Sequence, residues 1–348
     1  MTQSGGAQSI GAQSICFEQA PYIQSSANIV GTKEGEGPLG SLFDLVGADE
    51  KFGMDTWEEA ESTMQKEASL MAIGKAGLEK KDIRYIFGGD LLGQNIATTF
   101  GLMELNIPLF GLYGACSTAG ESLSLAAMTV AAGYADNVLA VTSSHFASAE
   151  KQFRFPLEYA NQRPLSASWT VTGSGAFVLG TKKTDVWITG ITTGKVVDYG
   201  VKDSMNMGAA MAPAACDVIC QNLIDFGRKP EDYDKIVTGD LGTVGQEILI
   251  KLAKEKGFDL SGIHMDCGIE IYDSAVQNTN AGGSGCGCSA VILSAALLPK
   301  LMDGTLKRIL FVPTGALLST VSFNEGQSVP GIAHAVVIEH VENKDKKK

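Results

Sequence analysis

One stretch of this 348-residue chain is written twice. Residues 77–91 read Gly-Leu-Glu-Lys-Lys-Asp-Ile-Arg-Tyr-Ile-Phe-Gly-Gly-Asp-Leu; 150 residues on, without a gap, residues 227–241 read Gly-Arg-Lys-Pro-Glu-Asp-Tyr-Asp-Lys-Ile-Val-Thr-Gly-Asp-Leu. Gly77/Gly227, Asp82/Asp232, Ile86/Ile236, Gly89/Gly239, Asp90/Asp240 and Leu91/Leu241 coincide. Two more segments recur in the same order: Gly133–Val141 matches Gly304–Val312, and Gly173–Gly180 resembles Gly331–Glu339 as a closing strand. Three matches in order make internal duplication the better account than chance. Each copy reads as an amphipathic helix closed by a C-cap glycine, a short polar turn and a buried strand ending in Gly-Asp. The first helix opens at Asp55-Thr56, with Glu59 completing a capping box and Trp57, Ala60, Met64, Ala68 and Met71 along one face. Alternating strands and helices predict an α/β chain of two halves, residues 1–184 and 185–348. With no Pro- or Ser-rich linker between them, the halves should pack as one body.

Charge and composition narrow the function. The formal net charge of −12 opposes nucleic-acid binding, which needs a basic face. The single basic run, Lys344, Lys346, Lys347 and Lys348, sits at the C-terminus and reads as a solvated tail, with weak contact to an anionic surface as the alternative. The apolar stretches Ser122–Ala135 and Cys286–Pro299 are too short and too rich in small residues to span a bilayer, and residues 1–15 lack a signal peptide's basic start. Seven cysteines without a scaffold pattern favour a reducing compartment, and Cys216/Cys220 and Cys286/Cys288 are poor zinc signals, so no metal site is expected. Glycine is enriched, 41 residues or about 12 % against a usual ~7 %. Gly88, Gly89, Gly114, Gly120, Gly239 and the run 282–287 fall at strand ends and helix starts, where they read as clearance for a compact ligand.

The most informative turn is 112–122, Leu-Tyr-Gly-Ala-Cys-Ser-Thr-Ala-Gly-Glu-Ser. Cys116 falls where a strand-like run meets an Ala-rich helix, and a helix N-terminus favours negative charge. That setting suits an acidified thiol or a bound carboxylate, while a cysteine serving only as a small apolar residue is the bland alternative. Gly-Ala-Cys-Ser-x-Ala-Gly opening such a helix in a duplicated α/β chain resembles the thiolase superfamily, which includes ketoacyl-acyl carrier protein synthase III. The resemblance runs from about Ile23 to Val341 and implies a thiolase-like fold, with central mixed sheets, buried helices and, in its enzymes, an acyl-accepting cysteine at position 116. Residues 35–44, Thr142-Ser-Ser-His145-Phe, the segment 150–164 and Ser168-Trp-Thr-Val-Thr-Gly-Ser-Gly-Ala176 narrow it further, because they resemble the stage V sporulation protein AD family.

That second resemblance implies binding of dipicolinic acid (pyridine-2,6-dicarboxylate) for its uptake into the developing spore, rather than acyl transfer. It also implies a peripheral place at the spore inner membrane beside the other SpoVA membrane proteins. A homodimer through the first half is implied by the superfamily. No cofactor is expected, and calcium enters only as the dipicolinate chelate. A condensing enzyme needs His/His or His/Asn beside its cysteine. The repeat register puts Gly239-Asp240 at the first of those positions and the Gly-rich run 282–288 at the second, so Cys116 as an acyltransferase nucleophile is the runner-up, and a scaffold without ligand the third reading. For a dicarboxylate, the expected contacts are Cys116, Ser117 and Thr118 as donors, His145 at a strand end, Arg154 or Arg163 as bidentate partner, and Gly283 and Ser284 in the small-residue run. Phe146, Phe153 and Phe155 would supply an apolar slot. Asp90 and Asp240 are expected either to cap turns or to admit the calcium-bound ligand.

Overall fold

A computed structural model of the chain describes residues 7–153, 156–160 and 162–341; Arg154, Phe155 and the C-terminal lysine run lie outside the described residues. Helix α1 (Trp57–Lys75) starts where the capping pair predicts: the Glu59 N–H donates to Thr56 Oγ1 at 3.2 Å and the Thr56 N–H to the Glu59 carboxylate at 3.1 Å. Its end is a Schellman motif, with Gly77 at φ 71° and the Leu78 N–H donating to the Ile73 carbonyl. The second copy repeats that geometry after α5 (Met207–Asp225), with Gly227 at φ 61° and the Arg228 N–H on the Leu223 carbonyl.

Each half builds the same five strands. In the first they are β1 (Tyr22–Val30), β2 (Ile86–Gly89), β3 (Leu109–Gly111), β4 (Asn137–Ser144) and β5 (Gly173–Gly180). In the second they are β6 (Val186–Thr192), β7 (Lys235–Thr238), β8 (His264–Asp266), β9 (Arg308–Val312) and β10 (Ala335–His340). The spatial order is β8-β7-β9-β10-β6-β1-β5-β4-β2-β3. Even the register is duplicated, since parallel β2/β4 aligns Ile86 with Leu139 and parallel β7/β9 aligns Ile236 with Leu310. The two sheets meet edge to edge at one antiparallel rung, Trp187 opposite Tyr22, whose rings stack at 5.8 Å. An N-terminal hairpin, Ala7–Ile10 with Ser14–Phe17, crosses to pair with β6, its turn held by the Asp225 carboxylate.

Helices α3 (Thr118–Ala131) and α7 (Cys286–Met302, one π turn within) lie between the sheets, while α1 and α2 (Ile96–Leu102) cover one outer face and α5 and α6 (Gly242–Glu255) the other. A buried helix between two sheets must be narrow, which is why Ala119, Ala126 and Ala127 stand on α3. The closing strand expected over 331–339 is broken. Gly331–Ala333 pairs with Thr314–Ala316, and β10 begins only after His334. Pro313, which has no N–H to give a ladder, stands at the matching break after β9, and the His334 N–H turns to its carbonyl at 3.4 Å. One helix among the described residues, α5, is long and apolar enough to cross a membrane, a stretch the sequence pattern passed over; 72 % of its apolar window is buried inside the fold.

Candidate functional site

Cys116 sits in the turn between β3 and α3, at the base of a narrow cleft of about 670 Å³, solvent mouth included. Ala115, just before it, is held at φ 49°, a conformation an alanine adopts only under constraint. Gly315 explains the constraint: a Cβ there would lie 2.4 Å from the Gly114 carbonyl and 3.3 Å from the Cys116 nitrogen, so two backbones from opposite halves touch at the thiol. The cleft walls are apolar, from Leu91, Tyr113, Phe153, Met205, Met207 and Leu318. Its polar groups are Ser168, Thr170, Ser204, Ser284 and Glu150. Ser168 and Ser204 make no hydrogen bond within the protein among the described residues, whereas Thr170 donates to Glu150 at 3.1 Å.

Behind the thiol lies a buried carboxylate. Asp240 accepts from Thr314 Oγ1 at 2.7 Å, the Gly285 N–H at 2.9 Å and Ser284 Oγ at 3.0 Å, and Ser284 Oγ stands 3.9 Å from Cys116 Sγ. Burial, and then the Asp240 charge, push the Cys116 thiol well above its ordinary pKa, so it stays protonated. Burial raises Asp240 as well, against the hydrogen bonds it receives. Four turns converge here, one from the first half (114–118) and three from the second (240, 284–285 and 314).

Of the predicted contacts, Cys116 and Ser284 reach the cleft. Ser117 and Thr118 do not: their hydroxyls donate to the Gly114 and Ala115 carbonyls at 2.6 and 2.7 Å, and their N–H groups to the same two carbonyls. The turn needs those donors for itself, so the expected carboxylate cradle is closed. Gly283 packs on Ile271, Val171 and Tyr272 side chains. Asp90 is fully buried beneath α2, accepting from the Leu92 and Thr98 N–H groups and Thr98 Oγ1, all within 2.8 Å. Neither Asp90 nor Asp240 has an oxygen free of protein donors, which fits the turn-capping alternative rather than direct calcium ligation. His145 lines a different cavity; its Nδ1 accepts from the Ala147 N–H at 3.1 Å, which leaves Nε2–H to donate to the Glu50 carbonyl at 2.8 Å. Arg163 lies over Trp169 at 4.9 Å, and Arg154 and Phe155 lie outside the described residues. Of the two slot phenylalanines among the described residues, Phe153 is on the wall, whereas Phe146 stacks on Trp169 at 3.9 Å away from it.

Ser204 and Met205, from the irregular segment leading into α5, and Met207, its first residue, carry no local sign in the sequence. Glu150, Ser168 and Thr170 did carry a signal, because they lie in the two segments that carried the narrower resemblance. The glycines serve another end than the one expected. A Cβ on Gly89 would meet the Leu112 carbonyl at 2.3 Å, on Gly120 the His334 carbonyl at 2.9 Å, and on Gly287 the Gly173 carbonyl at 2.3 Å. Their clearance is filled by this chain's own backbone.

Comparison with known proteins places this architecture. Residues 11–339 match the family model described as Stage V sporulation protein AD (SpoVAD). The chain belongs to that family. It is 44 % identical over 329 residues to the Stage V sporulation protein AD of Bacillus subtilis (strain 168), covering 94 % of this chain and 97 % of that protein. Among solved structures it is similar in fold to 3-oxoacyl-[acyl-carrier-protein] synthase III from Aquifex aeolicus VF5 (TM-score 0.55, 14 % identity, 92 % of this chain and 100 % of that one). It is also similar to Xanthomonas campestris OleA with bound lauric acid and lauroyl-CoA (TM-score 0.60, 14 % identity, 92 % and 99 %). At such identity these likenesses speak for the fold alone, and they make the chain thiolase-like. It is a sporulation protein of thiolase-like architecture.

Proposed function

We propose that this chain binds dipicolinic acid without transforming it, in the cleft beside Cys116, and serves its uptake into the developing spore. The observation that carries this reading is the pairing of a protonated, buried thiol with the Asp240 carboxylate at the base of a narrow, apolar-walled slot. A nucleophilic cysteine needs a stabilised thiolate and a donor for the oxyanion; the Asp240 charge repels a thiolate, and an ionised carboxylate has no proton to give an oxyanion. The apolar walls of Leu91, Phe153 and the methionines suit the faces of a planar ring, and the Ser168 and Ser204 hydroxyls are suited to meet its carboxylate oxygens. Glu150 is the charged side chain among the described lining residues, so the electrically neutral one-to-one calcium chelate suits the slot better than the free dianion. Calcium then arrives with the ligand, and the protein needs no cofactor. The chain works as a homodimer, peripheral to the spore inner membrane and alongside the integral SpoVA proteins.

Calorimetric titration with dipicolinate, with and without calcium, tests the reading against acyl transfer. Saturable binding is expected, tighter with calcium, kept by Cys116→Ser and lost in Cys116→Trp. Mass spectrometry after incubation with acetyl-CoA should leave Cys116 unmodified. An acetylated Cys116 together with no dipicolinate binding would establish the acyltransferase instead, and silence in both would leave a scaffold.

A further inference from the structure

His145 opens onto a second cavity, of about 520 Å³ with its solvent mouth included, between α1 and α4 (Phe146–Phe153) and separate from the Cys116 cleft. Its walls are aromatic: Trp57 from the first turn of α1, Phe146 from α4, and Trp169, against which Phe146 stacks at 3.9 Å. Glu34 lines it, fully buried. One carboxylate oxygen of Glu34 accepts from the Thr172 N–H at 3.0 Å and from the Tyr272 hydroxyl, while the other, Oε2, is buried with no hydrogen-bond partner. A buried carboxylate oxygen without a donor is destabilising unless something outside the chain supplies one.

The charges around the cavity say what that donor should carry. Its lining has two acids, Glu34 and Glu50, and one ammonium, Lys33, with Lys51 and Arg163 over the Trp57 and Trp169 rings of its walls, and none of these cations gives a hydrogen bond to Glu34 Oε2. Lys33 is turned to the rim, where Nζ donates to the Gln277 carbonyl at 2.7 Å and lies 4.4 Å from the Trp169 ring centroid. His145 adds no charge: its Nδ1 is occupied by the Ala147 N–H and burial lowers its pKa. The chain's own cations already seek these rings, Lys51 over Trp57 at 4.8 Å and Arg163 over Trp169 at 4.9 Å, which is the behaviour of π-faces that attract cations. Burial pushes the Glu34 carboxyl up to about 7, so it is readily ionised by a positive partner.

We propose that this cavity is a second binding site, for a compact organic ammonium ion that gives an N–H to Glu34 Oε2 and lays its carbon body against Trp57, Phe146 and Trp169. The site stands apart from the dipicolinate reading, because no lining residue is shared between the two cavities.

Benzylammonium, benzyl alcohol and benzoate, equal in ring and different in charge, form the test on the full chain. Of the three tryptophans, Trp57 and Trp169 line the cavity, and Trp187 lies at the sheet junction as an internal control. Benzylammonium should shift the indole N–H resonances of Trp57 and Trp169 and leave that of Trp187 in place. Benzyl alcohol should bind at least tenfold more weakly and benzoate not at all. Glu34→Gln, which keeps an acceptor for Thr172 and Tyr272, should weaken benzylammonium at least tenfold at an unchanged melting temperature. Equal binding of the alcohol, preference for benzoate, silence at Trp57 and Trp169, or full affinity in a folded Glu34→Gln protein would each overturn the site. Should Glu34→Gln not fold, the three-probe comparison on the unmodified chain still decides.

Discussion

Glu61 is a fully buried acid on α1, and its hydrogen-bond partners among the described residues are hydroxyls: Ser143 at 3.0 Å and Ser148 at 2.6 Å. Burial first, and the neighbouring Asp90 charge second, push its carboxyl up to about 8. The folded chain therefore keeps a proton that the unfolded chain, with its ordinary value of 4.5, gives up. Unfolding releases that proton between those two values, so stability should fall as pH rises across the interval, by at most ~1.4 kcal/mol per pH unit for one group. His264 and His334, both lowered to about 4 by burial, act in the opposite sense, and only below their ordinary 6.5. The interval from pH 6.5 to 8 thus isolates the acids, with Glu34 contributing its lower part. Urea midpoints measured across it should decline in the unmodified protein and flatten in Glu61→Gln; an equal slope in both would remove Glu61 as the cause. The apolar spacing Ala60, Met64, Ala68 was legible in the sequence. That Glu61 and Gln65 are buried beside it was not, because their partners stand on β2, β4, α2 and α4, far along the chain.

Among the elements, what could be read in advance was local. The capping box at Thr56, the paired Schellman glycines and the repeated strands are each decided within a few residues, and the sequence states them directly. The glycines at strand ends were recognised as clearance, but not for what, since the occupant of that space is set by the crossing of elements. The opening turn of α7 shows the difference. Its backbone lies so close to β5 that a Cβ on Gly287 would meet the Gly173 carbonyl at 2.3 Å, and one on Gly175 would meet Ala290 at 2.7 Å. Gly74, inside α1, has nothing within 4 Å of the same position and no positive φ. Gly287→Ala should therefore destabilise by about 1–3 kcal/mol through overpacking, whereas Gly74→Ala should stabilise by roughly 0.5–1 kcal/mol through helix propensity. Urea denaturation of the two variants checks both signs. Asp90 and Asp240 teach the same lesson at the candidate site. They are equivalent in the repeat, yet one is sealed under α2 and the other lies behind the Cys116 thiol, because the halves differ in what packs against each strand end.

For the whole molecule, the sheet has one edge that the fold leaves open. β3 ends the strand order, and all three of its residues are exposed. Phe110 is 52 % exposed although its ring stacks on Phe87 at 5.2 Å, and Phe100 and Met103, 55 % and 62 % exposed, stand on and just after the neighbouring α2. An unpaired, apolar edge strand invites pairing with another chain, and natural proteins usually blunt such edges with charge. This one carries none over Leu109–Gly111. A second copy related by a twofold axis would satisfy it, since the same strand on each copy can pair antiparallel and extend the sheet through both molecules. Tyr113, on the cleft wall, lies two residues beyond β3, so that pairing would also brace the mouth of the cleft. Light scattering after size exclusion should give a dimer for the unmodified chain and a monomer for Phe110→Lys, with the Phe110→Lys monomer still showing the native far-ultraviolet circular dichroism. A dimer that survives Phe110→Lys, or a monomer from the start, would place the contact elsewhere or remove it; a Phe110→Lys monomer with weakened dipicolinate binding would tie assembly to the site through Tyr113.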